Sequence, residues 1–183
     1  MFLITEGKVK KLVAISLMLV ILITFLATPV LAAGPSLYRA SGGGTSIYIN
    51  FWDGDKYPNT YTFTVQQLDE AGNAKGHFVV IFGHSTEVHH RKIEADLKFV
   101  YFEGNTVWMS GIITHCYDPW RVGRALLFAA QDNGEGIQAT GPDKVSGVVS
   151  GGPVGSAIDQ RYRSMLGFPS YGFDLTNGNV QIK

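Results

Sequence analysis

Two histidines and one glutamate in neighbouring predicted strands have the residue types of a zinc site. His90 and Glu94 lie at the start of one strand, and His115 lies at the end of the next. A hairpin with a two-residue turn places His115 across from Lys92 or Glu94, so the three side chains share one face at its open end. Two imidazoles and one carboxylate, together with a water, make an open tetrahedral Zn²⁺ site. The alternative is a solvated strand end at which these residues bind no metal.

Three carboxylates in a glycine-rich stretch are the second candidate for chemistry. Asp132, Glu135 and Asp143 belong to the segments Asp-Asn-Gly-Glu-Gly and Gly-Pro-Asp. Ca²⁺ takes several oxygen ligands from flexible loops, although this spacing does not match that of an EF-hand. The alternative is a tight turn in which Asp132 and Asn133 form hydrogen bonds with their own backbone.

Aromatic side chains in or beside predicted loops are the third candidate. Exposed rings at the mouth of a barrel can bind a sugar or another apolar ligand. The alternative is ordinary packing in the core and rim of an aromatic-rich β protein. The residues concerned are Trp52, Tyr57, Tyr61, Trp120, Tyr162 and Tyr171.

The sequence assigns no catalytic residue. Gly83-His84-Ser85 lacks the second glycine of a serine-nucleophile elbow. No two carboxylates are paired as in a glycosidase, and the glycines between 134 and 152 lack the strand–glycine–helix context of a phosphate loop. Cys116 is the only cysteine, so no internal disulfide forms, and we interpret it as a small buried hydrophobe.

Residues 1–32 have the pattern of a cleaved signal peptide. Three lysines precede an apolar run that ends before Pro29, and small residues at Val30 and Ala32 suit signal peptidase. The alternative is an uncleaved membrane anchor, but the run is shorter than the roughly 20 residues that a span requires. We therefore predict cleavage before Ala33 and a secreted, periplasmic or cell-surface location, with no membrane attachment after cleavage.

The remaining residues, 33–183, are predicted to form one domain with a single core. Without residues 1–32, Lys+Arg falls from 15 to 12 and Asp+Glu from 15 to 14, for a net charge of −2. A balance this small argues against a nucleic-acid partner, because nucleic acid requires a concentrated basic face.

The candidate zinc ligands depend on a hairpin over residues 93–114. Apolar and charged residues alternate through its first strand, and Gly104 and Asn105 tolerate the positive φ of a two-residue turn. The turn is either Glu103-Gly104 or Gly104-Asn105. Both registers predict that Phe99 and Trp108 share one buried face. The full predicted face is Leu97, Phe99, Tyr101, Trp108, Ser110, Ile112 and Thr114.

The rest of the chain is also predicted to be β-rich. Strand patterns cover residues 45–52, 61–68, 76–82, 124–131, 144–150, 173–175 and 179–182. For residues 124–131 the alternative is a short helix, because alanine and leucine are good helix formers. Glycines 42–44 predict a flexible lead-in and residues 58–59 a turn, while residues 157–166 form either a short helix or an irregular excursion. Sequential strands with hairpin-length links predict an all-β antiparallel meander. Closure into a single barrel removes exposed edges; a two-sheet sandwich is the alternative.

Three motifs in a fixed order resemble a family of small exported bacterial β-rich proteins of uncharacterised function. Residues 104–113 read Gly-Asn-Thr-Val-Trp-Met-Ser-Gly-Ile-Ile. Residues 131–136 read Gln-Asp-Asn-Gly-Glu-Gly and are followed by Pro-Asp-Lys-Val-Ser, and residues 175–182 read Leu-Thr-Asn-Gly-Asn-Val-Gln-Ile. The resemblance spans most of the mature chain except residues 151–170. It implies a secreted barrel-like domain that stands alone or within larger surface proteins, and it carries over no catalytic residue.

These observations predict an exported, non-catalytic β domain, monomeric or weakly oligomeric, that binds a surface partner or a small ligand. The alternative is a small barrel enzyme of isomerase or cyclase type that acts on an apolar ligand in its lumen. A packed interior favours the first function. An open lumen that holds a carboxylate, a histidine or an asparagine favours the second. No cofactor is predicted apart from the candidate Zn²⁺ or Ca²⁺.

Overall fold

The structure, a computed structural model, describes residues 38–49, 56–83 and 91–183, and the candidate signal peptide lies outside them. The described strands are β1 (Arg39–Ile49), β2 (Lys56–Gln67), β3 (Asn73–Phe82), β4 (Arg91–Glu103), β5 (Thr106–Cys116), β6 (Ala125–Gln131), β7 (Lys144–Val145), β8 (Val149–Ser150) and β9 (Phe173–Ile182). One α-helix, α1 (Gln160–Met165), and the 3₁₀ turns Pro119–Arg121 and Gly136–Gln138 accompany them. Within these ranges, no helix has the length and apolar character needed to cross a membrane.

The strands close into an antiparallel barrel. The hydrogen-bonded order is β5-β4-β3-β2-β1-β9-β7-β6, and β6 pairs back with β5. Eight strands therefore form a closed cylinder, and β8 is an additional strand that pairs with β6. The predicted meander and barrel are confirmed, because closure leaves no separate second sheet as a sandwich would require.

Aromatic rings fill the barrel interior around Phe128. Its ring lies 5.6 Å from that of Tyr61, 5.8 Å from that of Phe63 and 4.6 Å from that of Phe78, measured between centroids. All four side chains are buried, and they belong to one cluster that also contains aliphatic residues from β3 to β6 and from β9. Alternation along each strand supplies this cluster, since every second side chain points inward.

The β4–β5 hairpin has one bulge on each strand. Glu103 faces Thr106, so the turn is Gly104-Asn105, with Gly104 at a φ of 59°. Lys98 is an extra residue on β4, and Thr114 is an extra residue on β5. Each bulge shifts the pairing by one residue, and the two shifts cancel at the open end.

Because of the bulge at Lys98, the predicted hairpin face is wrong for part of β4. Phe99 and Trp108 do share a face, as predicted, and it is the outer face of the barrel. Leu97 instead points into the interior with Val100, because the extra residue between Leu97 and Phe99 inverts the alternation.

Four other segments differ from their predictions. The predicted strand over residues 144–150 is divided into the short strands β7 and β8. Residues 42–44 are not a lead-in: they pair inside β1 with both β2 and β9. A Cβ on Gly44 would collide with the main-chain oxygen of Asn177, so glycine permits the close approach of β9. Residues 58–59 lie within β2 rather than in a turn, and the last two predicted strands are one continuous strand, β9.

Residues 151–170 form a cover over the outer face of β5 and β6. Trp108 packs there against Phe168, with ring centroids 5.7 Å apart, and against Leu127. The Ser110 hydroxyl anchors the cover: it donates to the Val154 oxygen at 2.5 Å and accepts from the Ala157 N–H at 3.1 Å. This segment contains α1, so the short-helix alternative is the one adopted.

Candidate functional site

Two of the candidate calcium ligands close the barrel instead. Asp143 accepts hydrogen bonds from the N–H groups of Asn133 at 2.8 Å and Val180 at 2.6 Å. Asp132 accepts from the N–H groups of Gly134 at 2.9 Å and Ile182 at 3.1 Å. Strand β7 pairs with only the first part of β9. The carboxylates therefore bind N–H groups of β9 beyond that short strand.

The third carboxylate, Glu135, holds the same end of β9 through side chains. Its Oε1 accepts from the amide groups of Asn179 at 2.6 Å and Gln181 at 3.1 Å. These two hydrogen bonds, that from Gln181 first, lower the pKa of Glu135 below its ordinary value. The hairpin turn joins this network, because the side-chain amide of Asn105 donates to the main-chain oxygen of Asp132 at 2.9 Å. The three motifs that carry the family resemblance thus meet at one place.

This geometry does not support the calcium hypothesis. Asp132, Glu135 and Asp143 each accept hydrogen bonds from separate N–H donors, so these oxygens already have partners in the protein. In the described part of the chain, no group of three or more His, Cys, Asp or Glu side chains is placed to hold a metal ion. The turn alternative agrees with the hydrogen bonds, since Asp132 caps the N–H of Gly134 at a φ of 86°.

The structure describes two of the three candidate zinc ligands, Glu94 and His115. Glu94 and His115 are cross-strand partners, as one of the two predicted registers required, and Cys116 points the opposite way into the core. Lys92 forms an ion pair with Glu94 and lowers the pKa of that carboxyl group, with a smaller contribution from His115. His90 lies outside the described residues, so the zinc site stays a prediction.

The packed interior leaves limited room for the enzyme alternative. A cavity of about 250 Å³ lies at the end of the barrel where β2 begins. The enzyme alternative requires a carboxylate, a histidine or an asparagine there, and Asn59 is the one described lining residue of these types. Below it, the stacked rings of Tyr61 and Phe128 occupy the interior. An apolar substrate would have to displace these rings to enter the lumen.

The predicted aromatic platform divides into buried and exposed rings. Tyr57 and Tyr61 are buried, and Tyr162 packs in the outer-face cover. Trp120 is 58% exposed, and the guanidinium groups of Arg121 and Arg124 lie over its ring. The aromatic candidates therefore do not form one platform; Trp52 lies outside the described residues.

The larger concavity is on the outer wall, where it crosses β9, β1, β2 and β3, and we call it the basic groove. Its volume is about 680 Å³. Ser41, Thr64 and Gly76 are its small central residues, and longer polar side chains surround them. The described lining residues are Arg39, Ala40, Ser41, Thr64, Val65, Gln66, Lys75, Gly76, His77, Gln181 and Lys183.

The basic groove concentrates positive charge. Among described residues, no carboxylate lies within ion-pair distance of Arg39, Lys75 or Lys183. His77 lies at one side, with its Nδ1 3.7 Å from the Asp96 carboxylate. The hydroxyl and amide groups between these cations can bind further polar atoms. The sequence alone does not predict this site, because its three cations lie far apart in the chain. They come together only through the strand order of the sheet.

Comparisons with known proteins find no match. No protein-family model matches the chain, and neither a curated protein nor a solved structure matches it. The resemblance to small exported bacterial β-rich proteins therefore stays a prediction based on the three motifs.

Proposed function

We propose that this protein is an exported, non-catalytic β-barrel domain that binds an acidic cell-surface or matrix polysaccharide in the basic groove. The observation that carries the proposal is the set of three cations, Arg39, Lys75 and Lys183, in one groove with no described carboxylate within ion-pair distance of them, although Lys183 also interacts electrostatically with Glu135. The domain as a whole is slightly acidic, so these positive charges are segregated rather than part of a generally basic surface.

The chemistry of the groove fits a sugar polymer with carboxylate or sulfate groups. Lysine and arginine attract the acidic groups, while Ser41, Thr64 and Gln66 can exchange hydrogen bonds with sugar hydroxyls. The described lining contains no Phe, Tyr or Trp, whereas proteins that bind single-stranded nucleic acid use aromatic rings to stack the bases. We therefore favour an acidic polysaccharide over a nucleic acid.

The filled interior argues against the lumen-enzyme alternative. Phe128 and its neighbouring rings occupy the place where a substrate would bind. A rigid packed barrel can instead present a binding surface on its outer wall, since binding there does not require the core to open. A scaffold of this kind agrees with a role in surface interaction or ligand binding.

The test measures binding of the chain from Ala33 onward to heparin and to polygalacturonate. The triple variant Arg39→Gln, Lys75→Gln and Lys183→Gln should weaken binding by about tenfold or more, and should reduce its dependence on salt.

A second triple variant with the same change in charge is the control. Lys56→Gln, Lys144→Gln and Arg161→Gln lie outside the groove lining and should have a much smaller effect. Equal losses in the two triple variants would mean that only net charge matters and would refute the groove as the site. Tighter binding to single-stranded DNA than to either polysaccharide would refute the proposed ligand class.

A further inference from the structure

A second cavity lies on a different part of the molecule, between α1 and the β4–β5 hairpin. Its volume is about 290 Å³. Tyr101, Trp108 and Phe168 give it aromatic walls, and the polar residues of its lining come from the hairpin and from α1. The complete described lining is Tyr101, Glu103, Trp108, Gln160, Arg163, Ser164, Gly167 and Phe168.

Arg163 is a buried cation without a counter-ion in the described structure. Its exposed fraction is 9%, and its guanidinium carbon lies 3.8 Å from the centre of the Tyr101 ring. It donates one hydrogen bond, from Nη1 to the Ala157 oxygen at 2.9 Å, and no described carboxylate lies within ion-pair distance. Arginine is rarely buried this far without an anion, because its desolvated charge is costly unless it is paired.

Trp108 contributes its ring to the wall of the same cavity. The residue is 5% exposed, and its Nε1 has no hydrogen-bond partner among the described residues. A buried N–H without an acceptor is uncommon in folded proteins. The guanidinium group is therefore the donor at this cavity that requires acceptor oxygens, whereas the indole N–H is too deeply buried to be reached from the cavity.

We propose that this cavity binds a small sugar acid, with its carboxylate on Arg163. A planar carboxylate matches the fork of guanidinium N–H groups. Glu103, Gln160 and Ser164 can form hydrogen bonds with the sugar hydroxyls, and the aromatic walls can contact the apolar face of the ring. The volume suits one sugar unit rather than a polymer. This site is independent of the basic groove, with which it shares no lining residue.

The test is titration calorimetry, together with tryptophan fluorescence, of the chain from Ala33 onward with glucuronate. We expect saturable binding that changes the fluorescence, and no binding of glucose, which lacks the carboxylate. Arg163→Met should weaken glucuronate binding at least tenfold. Arg161→Met is the matched control and should leave binding unchanged, because Arg161 is exposed and lies outside the lining.

A second variant keeps the test decisive if Arg163→Met unfolds the protein. Gln160 lines the cavity and is exposed, so Gln160→Ala should weaken binding severalfold without lowering the melting temperature. Binding of inorganic phosphate as tight as that of glucuronate would overturn the sugar-acid assignment. Absence of glucuronate binding to the folded wild-type protein, or binding unaffected by Gln160→Ala, would overturn the site itself, and so would binding unaffected by a folded Arg163→Met.

Discussion

The carboxylate of Asp143 accepts a 2.6 Å hydrogen bond from the main-chain N–H of Val180, 37 residues further along the chain. The bond is buried, and the other carboxylate oxygen binds the N–H of Asn133. It lies at the closure of the barrel, where β9 has passed the end of its short pairing with β7. A side chain thus satisfies a strand N–H that would otherwise require another strand.

Removal of this carboxylate should destabilise the barrel. Asp143→Ala leaves two N–H groups without their acceptor, and we expect a loss of about 3 kcal/mol in the free energy of unfolding. Denaturant titration followed by circular dichroism measures it. Asp174→Ala is the control, because Asp174 is exposed and makes a surface ion pair with Lys144, which typically contributes under about 1 kcal/mol. Equal losses in both variants would contradict a closing role for Asp143.

Trp108 should contribute to stability as a core residue, although it lies outside the barrel. Because it is buried under residues 151–170, Trp108→Ala should cost roughly 3 to 5 kcal/mol. Trp120→Ala removes an exposed ring and should cost about 1 kcal/mol or less through its two arginine contacts. Thermal melting of both variants checks the difference. An unchanged melting temperature for Trp108→Ala would show that the cover does not protect this face.

Acidification should remove the contribution of Glu135. Hydrogen bonds from Gln181 and Asn179 hold its folded-state pKa below the ordinary value. The stabilisation is therefore present above the unfolded-state pKa and is lost as the pH falls through the folded-state pKa. We expect Glu135→Gln to melt below the wild type at pH 7 and to converge with it once the pH has fallen through the folded-state pKa of Glu135. Glu70→Gln is the surface control, and a gap that stays constant with pH would contradict the prediction.

Zinc binding at the open end of the hairpin also remains testable. The facing pair Glu94 and His115 is in place, and the hypothesis adds His90 as a third ligand. Metal-free protein should bind about one equivalent of Zn²⁺ with micromolar or better affinity, and His115→Ala should abolish it. His77→Ala is the control on the neighbouring strand. Binding that is absent, or that survives His115→Ala, would leave these histidines as surface residues.

Export is tested at the N-terminus of the protein isolated from its host. The basic and apolar pattern of residues 1–32, which ends in small residues, predicts a mature chain that starts at Ala33. N-terminal sequencing or intact mass measurement determines the start. A full-length chain recovered in the membrane fraction would show that the segment anchors the protein instead.

The hairpin shows which cross-strand pairs the local sequence pattern predicts correctly and which it does not. The sequence predicted that His115 faces Lys92 or Glu94, and Glu94 is the partner because the bulges at Lys98 and Thr114 cancel. The same pattern misplaced Leu97, since alternation carries no signal for a single inserted residue. Which bulge forms depends on the neighbouring strands, and the pairing of β3 with β4 is also irregular beside Lys98.

The sequence by itself determined the fold class, the turn at Gly104 and the alternation that fills the core, because each depends on residues close together in the chain. It also indicated that the Asp132 loop is a turn. Only the tertiary structure decided that Asp132, Glu135 and Asp143 hold β9, and that residues 151–170 cover Trp108. The two candidate ligand sites were likewise invisible in the sequence. Each collects residues far apart in the chain: the pairing of β1 with β9 assembles the basic groove, and the packing of residues 151–170 on the outer face assembles the second cavity.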